Sequence, residues 1–368
     1  MEFIMEINTL DDNFINEISK LKDTGIDISA RKEISNIKKD ARRAIKKDNC
    51  FWCGKTCSSF CNSHTVPKFS LKKIAIDGKL LVFNSIIENL LLDIDEGINR
   101  SGVFNLICNN CDNTIFQIYE DENILSKAQN EDNDMMLYLI AVKNILYHIY
   151  KKSIESFMMH DTSLGEDISN SFSMDIHEYN SEFKSVSKCI KKQEKGKYKI
   201  ISDIYLQYTV PVAFQGCLAL AFDMENCLIN DLYYQKEEYR IQICHLAIFP
   251  LSGSTRILFF VDRQNKRYNN FIKQVSNLDE NEQLKLINYI LFLYTEDMFL
   301  SPLIDNITLK ELKDVAKKNL PMQFGLLGKK NLLAYSRYML KKDYVLTDYN
   351  NIPNLLSEKF SMKKLNGE

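Results

Sequence analysis

Tryptophan occurs once in 368 residues, and glycine and proline are scarce at 12 and 6. No low-complexity tract and no internal repeat interrupts the chain. With 45% hydrophobic residues it can bury a full core and is expected to form two or three domains of an ordinary soluble globular protein. A dominant charge is lacking as well. Lys and Arg number 47 against 49 Asp and Glu, a net charge of -2, so no global basic field recruits nucleic acid and any polyanion contact must come from a local patch.

Other absences are equally selective. The longest apolar run, Met135 to Val142, is too short to span a bilayer, so no membrane partner is expected. The N-terminus carries Asp11, Asp12 and Glu17 where a secretory signal would place a basic region and an apolar stretch. Neither a Gly-rich phosphate loop nor a serine-nucleophile motif is present. A cytoplasmic location is the expectation, and oligomeric state is not legible.

The ten cysteines are the feature in excess. Six fall between Cys50 and Cys111, while Cys189, Cys217, Cys227 and Cys244 are scattered. Isolated cysteines in apolar surroundings suit small buried hydrophobes, and clustered pairs suit metal. Cys50-Phe-Trp-Cys53 and Cys108-Asn-Asn-Cys111 are two such pairs. Paired thiolates two residues apart can both reach one tetrahedral ion, so a structural zinc site from Cys50, Cys53, Cys108 and Cys111 is expected. Cys57 or Cys61 could replace one ligand, and Cys61 with His64 could form half of a separate closed site.

The chain reads as an α+β protein with N-terminal helices, a zinc-knuckle ββα-like module and a larger C-terminal mixed helix and sheet domain. Residues 1 to 48 form a helical basic arm, with one helix over Asn13 to Lys22, a break at Gly25 and a second helix from about Ser29. In that second helix Lys38, Lys39, Arg42, Arg43, Lys46 and Lys47 recur at helical spacing, a stripe on which a phosphate backbone could dock or which is simply a solvated face. The knuckle module covers 49 to 122. Within it Lys72 to Phe83 reads as two short strands turning at Asp77-Gly78, residues 84 to 102 as a connection, and Asp112 onward as a helix packing Ile115, Phe116 and Tyr119. Asp121 to Asp134 is the expected boundary.

The C-terminal domain, 135 to 368, is expected to begin with an apolar helix over 135 to 156 and a loop-rich stretch over 160 to 184. Residues 207 to 222 have strand composition. Tyr239 to Phe249 and Thr255 to Val261 are the clearest strands, joined by a turn at Pro250 to Ser254. A helix from about Asn281 to Phe299 is expected to end at Ser301-Pro302. His245 reads as a satisfied core histidine, His160-Asp161 and His177-Glu178 as polar surface, and Trp52 as a ring packed on the module.

The run Ser63-His64-Thr65-Val66-Pro67, followed by Asn105-Leu-Ile-Cys108-x-x-Cys111-Asp112, resembles the HNH branch of the ββα-metal endonucleases. The resemblance covers residues 48 to 122, about a fifth of the chain. It implies that His64 is the general base that activates water, that Asn105 orients it, and that Asp112 stands where the family keeps a metal-binding histidine. It also implies a catalytic Mg²⁺ or Mn²⁺ held by Asp112, zinc held by the cysteines, and a nucleic acid partner, DNA favoured over RNA. The sequence departs from the family at Ser63, which stands where a metal-binding carboxylate is usual, and at Phe116, which stands at the second ligand position. An independent alternative is that Asp112 caps a helix. The N-terminal half is also similar to uncharacterised bacterial proteins through Ser63 to Lys68, Leu71 to Gly78, and Cys108 to Phe116.

Two functions follow as expectations. One is a metal-dependent HNH-like endonuclease of DNA or RNA, serving bacterial anti-phage defence. The other is a catalytically inactive, zinc-stabilised nucleic-acid- or protein-binding module. A bias toward Lys, Asn and Ile is compatible with a low-GC bacterium or its phage.

Overall fold

The computed structural model describes residues 28–83, 95–126, 133–159, 165–232, 238–316, 318 and 341–367. The helix expected over 13 to 22, His160-Asp161 and most of the 84 to 102 connection lie outside them. The fold is α+β and centres on a seven-stranded antiparallel sheet.

Hydrophobic alternation explains the middle of that sheet. Strands β6 (Val212–Leu218), β7 (Cys244–Leu251) and β8 (Ser254–Asp262) are buried along their whole length. Phe214, Leu246, Ile248, Ile257 and Phe259 face one layer, whereas Ala213, Cys217, Ala247, Phe249 and Phe260 face the other. Successive side chains point to opposite faces, so a strand covered on both sides is largely apolar, as Ile257 to Val261 are without interruption. Strand β5 (Tyr198–Leu206) completes this edge against β8.

The first layer is covered by α6 (Asn269–Ser276), α7 (Glu280–Tyr294) and α8 (Asn306–Ala316). The second is covered by α4 (Asn133–Met159), whose residues Met136 to Leu146 are buried all round. A helix with no polar face must be enclosed, and α4 is: the sheet lies on one side, α5 (Gly165–Lys192) on another, the knuckle segment on a third.

Three expectations need correction. Residues 165 to 184 belong to α5 and are not loop; α5 packs along α4, and buried Phe183 meets Phe51 and Trp52 of the knuckle edge-on, anchors that suffice in a polar stretch. The helix starting at Glu280 stops at Tyr294, and Met298–Leu300 form strand β9 instead, pairing on both sides. Before Asp77-Gly78 the chain is helical, α2 (Lys68–Ile74), because Leu71 and Ile74 are buried on one face and the Ser70 hydroxyl donates to the Pro250 carbonyl at 2.9 Å. The turn itself is as expected, with φ of 50° and 73°.

Strand β2 (Lys79–Phe83) pairs with β3 (Asp95–Gly97) and with β9, giving the order β3-β2-β9-β6-β7-β8-β5. The knuckle segment thereby contributes two strands to the large sheet. None of the helices among the described residues is long and apolar enough to cross a membrane.

Candidate metal centre and the adjoining histidine

The sulfur atoms of Cys50, Cys53, Cys108 and Cys111 all lie within 4.8 Å of one another, and all four thiols are free. This is the donor set and spacing of a tetrahedral thiolate site, so the four could hold one metal ion. Local backbone builds it. Gly54, at φ 71°, lets its N–H return to the Cys50 carbonyl at 2.8 Å, closing the first knuckle. The Phe51 N–H donates to the Leu106 carbonyl at 2.9 Å, which brings the second knuckle alongside. Burial acts to raise the Cys50 thiol, but backbone N–H groups of Cys53, Cys108 and Trp52 outweigh it and bring its pKa to about 7. Trp52 packs edge-on against Phe183 of α5, with ring centroids 6.0 Å apart.

Cys57 and Cys61 stand outside the group. Cys57 donates to the Lys55 carbonyl at 3.6 Å. Cys61 donates to Asp112 Oδ2 at 3.1 Å, and burial, then this hydrogen bond and the carboxylate's charge, push its thiol to about 11. Among the described residues, the group placed to hold a metal is the four cysteines and includes neither Cys61 nor His64.

Next to the four cysteines lies a ββα arrangement. Strand β1 (Ser63–His64) pairs antiparallel with β4 (Val103–Phe104), Ser63 opposite Phe104 and His64 opposite Val103. Helix α3 (Asn109–Ile115) follows, starting three residues earlier than Asp112. Cys108 is its N-cap residue, so Asp112 is not a cap; it sits in the first turn and accepts the Ser63 hydroxyl at 2.5 Å through Oδ1.

His64 Nε2 lies 3.1 Å from the Ile98 carbonyl. A carbonyl only accepts, so Nε2 carries the proton and Nδ1 keeps its lone pair in the neutral ring. Burial lowers the pKa of His64, the Ile98 bond opposes it, and Lys143 and Lys68 lower it further. His64 is thus held neutral, with Nδ1 as its basic atom. Asn105 donates to the Cys61 carbonyl at 2.9 Å and to Asn62 Oδ1 at 2.7 Å, pinning the segment that leads into β1.

Lys143 is not among the residues the sequence singles out. The α3 helix gives way to a 3-10 turn over Phe116–Ile118, and this break turns Glu120 toward α4, where it pairs with Lys143. Lys143 is 1% exposed and its ammonium lies 4.5 Å from the Phe116 ring centroid. A lone lysine inside the apolar run of α4 was the available signal.

The basic stripe lies on α1 (Ile28–Ala44) and just beyond it. Lys39, Arg42, Arg43, Lys46 and Lys47 are exposed and Lys38 is half-buried, while buried Ala41 faces the core. Arg43 makes a surface pair with Asp40 at 3.3 Å. His245 is buried as expected, 3.3 Å from Asn144 Nδ2 through its Nδ1. Comparison with known proteins finds no matching family model, no matching curated protein and no matching solved structure.

Proposed function

We propose that this chain is a metal-dependent endonuclease of HNH type that hydrolyses phosphodiester bonds of DNA, with RNA the second substrate to test. The observation that carries the reading is the antiparallel pairing of β1, which holds His64, with β4, and the Ser63 hydrogen bond that ties β1 to Asp112 on α3, beside a four-cysteine group. A part in bacterial anti-phage defence belongs to the same reading and rests on the sequence resemblance alone.

The four-cysteine group suits zinc, whose preferred structural shell is four thiolates. In this reading the ion ties the start of the module to the strand before α3. His64 takes a proton from water at Nδ1 while the Ile98 carbonyl holds the ring by Nε2–H. Asn105 fixes the backbone that presents His64. Asp112 offers one carboxylate to a Mg²⁺ or Mn²⁺ ion, which when bound would neutralise charge on the phosphate; such ions keep several waters and take one or two carboxylates plus substrate oxygens, so the donor set fits at its lower limit. The exposed cations of the α1 stripe supply a docking face for the phosphate backbone.

A second reading, a zinc-stabilised binding module without catalysis, is favoured by one observation. Both Asp112 oxygens already accept hydrogen bonds, from Ser63 and from Cys61, as a structural tether would. Purified protein incubated with plasmid DNA and structured RNA in Mg²⁺ or Mn²⁺, beside a His64→Ala variant, separates the two. Cleavage that needs both metal and His64 supports the nuclease. Cleavage unaffected by the substitution removes His64 from the mechanism, and absence of cleavage with retained nucleic acid binding favours the module.

A further inference from the structure

A cavity of about 280 Å³ opens between α4, α5, the end of β6 and the segment after α7, on side chains the proposed nuclease does not use. Its walls combine aromatic rings, among them Tyr147, Tyr179 and Tyr294, with charged groups. Five lining side chains are carboxylic acids and three are cations.

The cations are spent within the protein. Lys151 lies 2.6 Å from Glu296 and 2.5 Å from Asp297. Lys152 is 3.1 Å from Glu155 and 3.9 Å from Asp175, and Arg240 reaches Glu182 at 2.8 Å. Glu178 makes no ion pair with any described residue. Burial first, then the neighbouring charge of Asp175, push its carboxyl to about 7, against the pull of Arg240. Burial likewise raises Asp175 and Glu296. Carboxyl groups outnumber cations in the lining, and an anionic ligand would have to break existing pairs to enter.

Gln215, a lining residue only 4% exposed, turns its side-chain amide away to donate to the Tyr119 hydroxyl at 3.2 Å. His148 accepts the Cys217 N–H at 3.2 Å through Nε2, so the ring is neutral and adds no competing cation.

We propose that this cavity is a binding site for a small organic cation, a primary amine or guanidinium, whose charge pairs with Glu178 and whose N–H groups are received among tyrosine rings. Aromatic faces attract such cations while rejecting anions. The volume suits a molecule of a few carbons. The site is independent of the nuclease reading.

Isothermal titration of the full chain with agmatine, cadaverine and methylguanidine tests it, beside inorganic phosphate and adenosine monophosphate. At least one cation is expected to bind saturably, one per chain, and to raise Tm, with neither anion doing so. Glu178→Gln is expected to weaken that binding at least about tenfold. Because burial disfavours the Glu178 charge, the same variant should keep or raise its own Tm, which separates lost binding from lost folding. No saturable binding by any of the three cations, binding of the anions instead, or an unchanged affinity in Glu178→Gln would overturn the proposal.

Discussion

The Ser63 hydroxyl donates to Asp112 Oδ1 at 2.5 Å across 49 residues of sequence. Ser63→Asp puts a second carboxylate against the first. Without divalent ions we expect like-charge repulsion to cost about 1–3 kcal/mol. Mn²⁺ should recover that loss and raise Tm more in the variant than in the wild type. Equal metal response in the two proteins, read by thermal denaturation with and without chelator, would remove the metal role from Asp112.

The cysteine group makes a stoichiometric prediction. Protein purified without chelator should release one zinc per chain when its thiols are titrated with a mercurial, read by a metallochromic dye. Cys108→Ser should lose the metal and several kcal/mol of stability, because binding energy at such a site is folding energy. Cys57→Ser should leave metal content unchanged, since Cys57 lies outside the group.

Lys143 controls the charge state around His64. Lys143→Met removes the buried cation, leaves Glu120 without its partner and should cost about 3 kcal/mol. With the positive charge gone and Glu120 remaining, the pKa of His64 should rise. Imidazole proton resonances followed through a pH titration give the direction, and a downward or absent shift would refute it.

Acid should unfold the protein through its buried histidines. Burial first, then Lys151 and Lys152, push His148 to about 3, and burial, then His148 and Lys197, push His245 to about 3, from an ordinary 6.5. The unfolded chain binds these protons first, so stability is intact above about pH 6.5 and falls as pH drops from there toward about 3, by up to ~1.4 kcal/mol per unit for each ring. His245→Gln should flatten that slope in urea unfolding curves taken at several pH values. An unchanged slope would exonerate His245.

Gly102 fixes the register of β1 against β4. At φ 62° it accepts the Thr65 N–H at 2.9 Å, and a Cβ there would collide with Thr65 Oγ1 and lie 2.7 Å from Phe299. Gly102→Ala is expected to cost at least about 2 kcal/mol and to disturb His64 next door. A Tm within 1–2 °C of wild type would contradict this, that being well inside the shift such a loss produces in a chain of this size.

Legibility followed the range of the interactions. The Cys-x-x-Cys pairs, the Asp77-Gly78 turn, and the strands around Ile248 and Ile257 were readable because spacing, turn chemistry and apolar composition are local signals. Residues 165 to 184 were not, since α5 takes its order from packing along α4 and, through Phe183, on Phe51 and Trp52, partners that polar composition conceals. Strand β9 was hidden for a related reason. Met298, Phe299 and Leu300 continue an apolar helix by composition and become a strand only because β2 and β6 flank them. At the candidate site, the motif singles out Asp112 and His64, whereas Lys143 and the Ile98 carbonyl enter through tertiary placement that no local pattern encodes.

The pairing of Leu81 with Leu300 sets an order of events during synthesis. Strand β2 emerges from the ribosome more than two hundred residues before the strand that shields its edge. Until β9 arrives, the β2 edge next to the cysteine knuckles has an open side, so early metal capture by those thiols would hold that segment in shape while the rest is made.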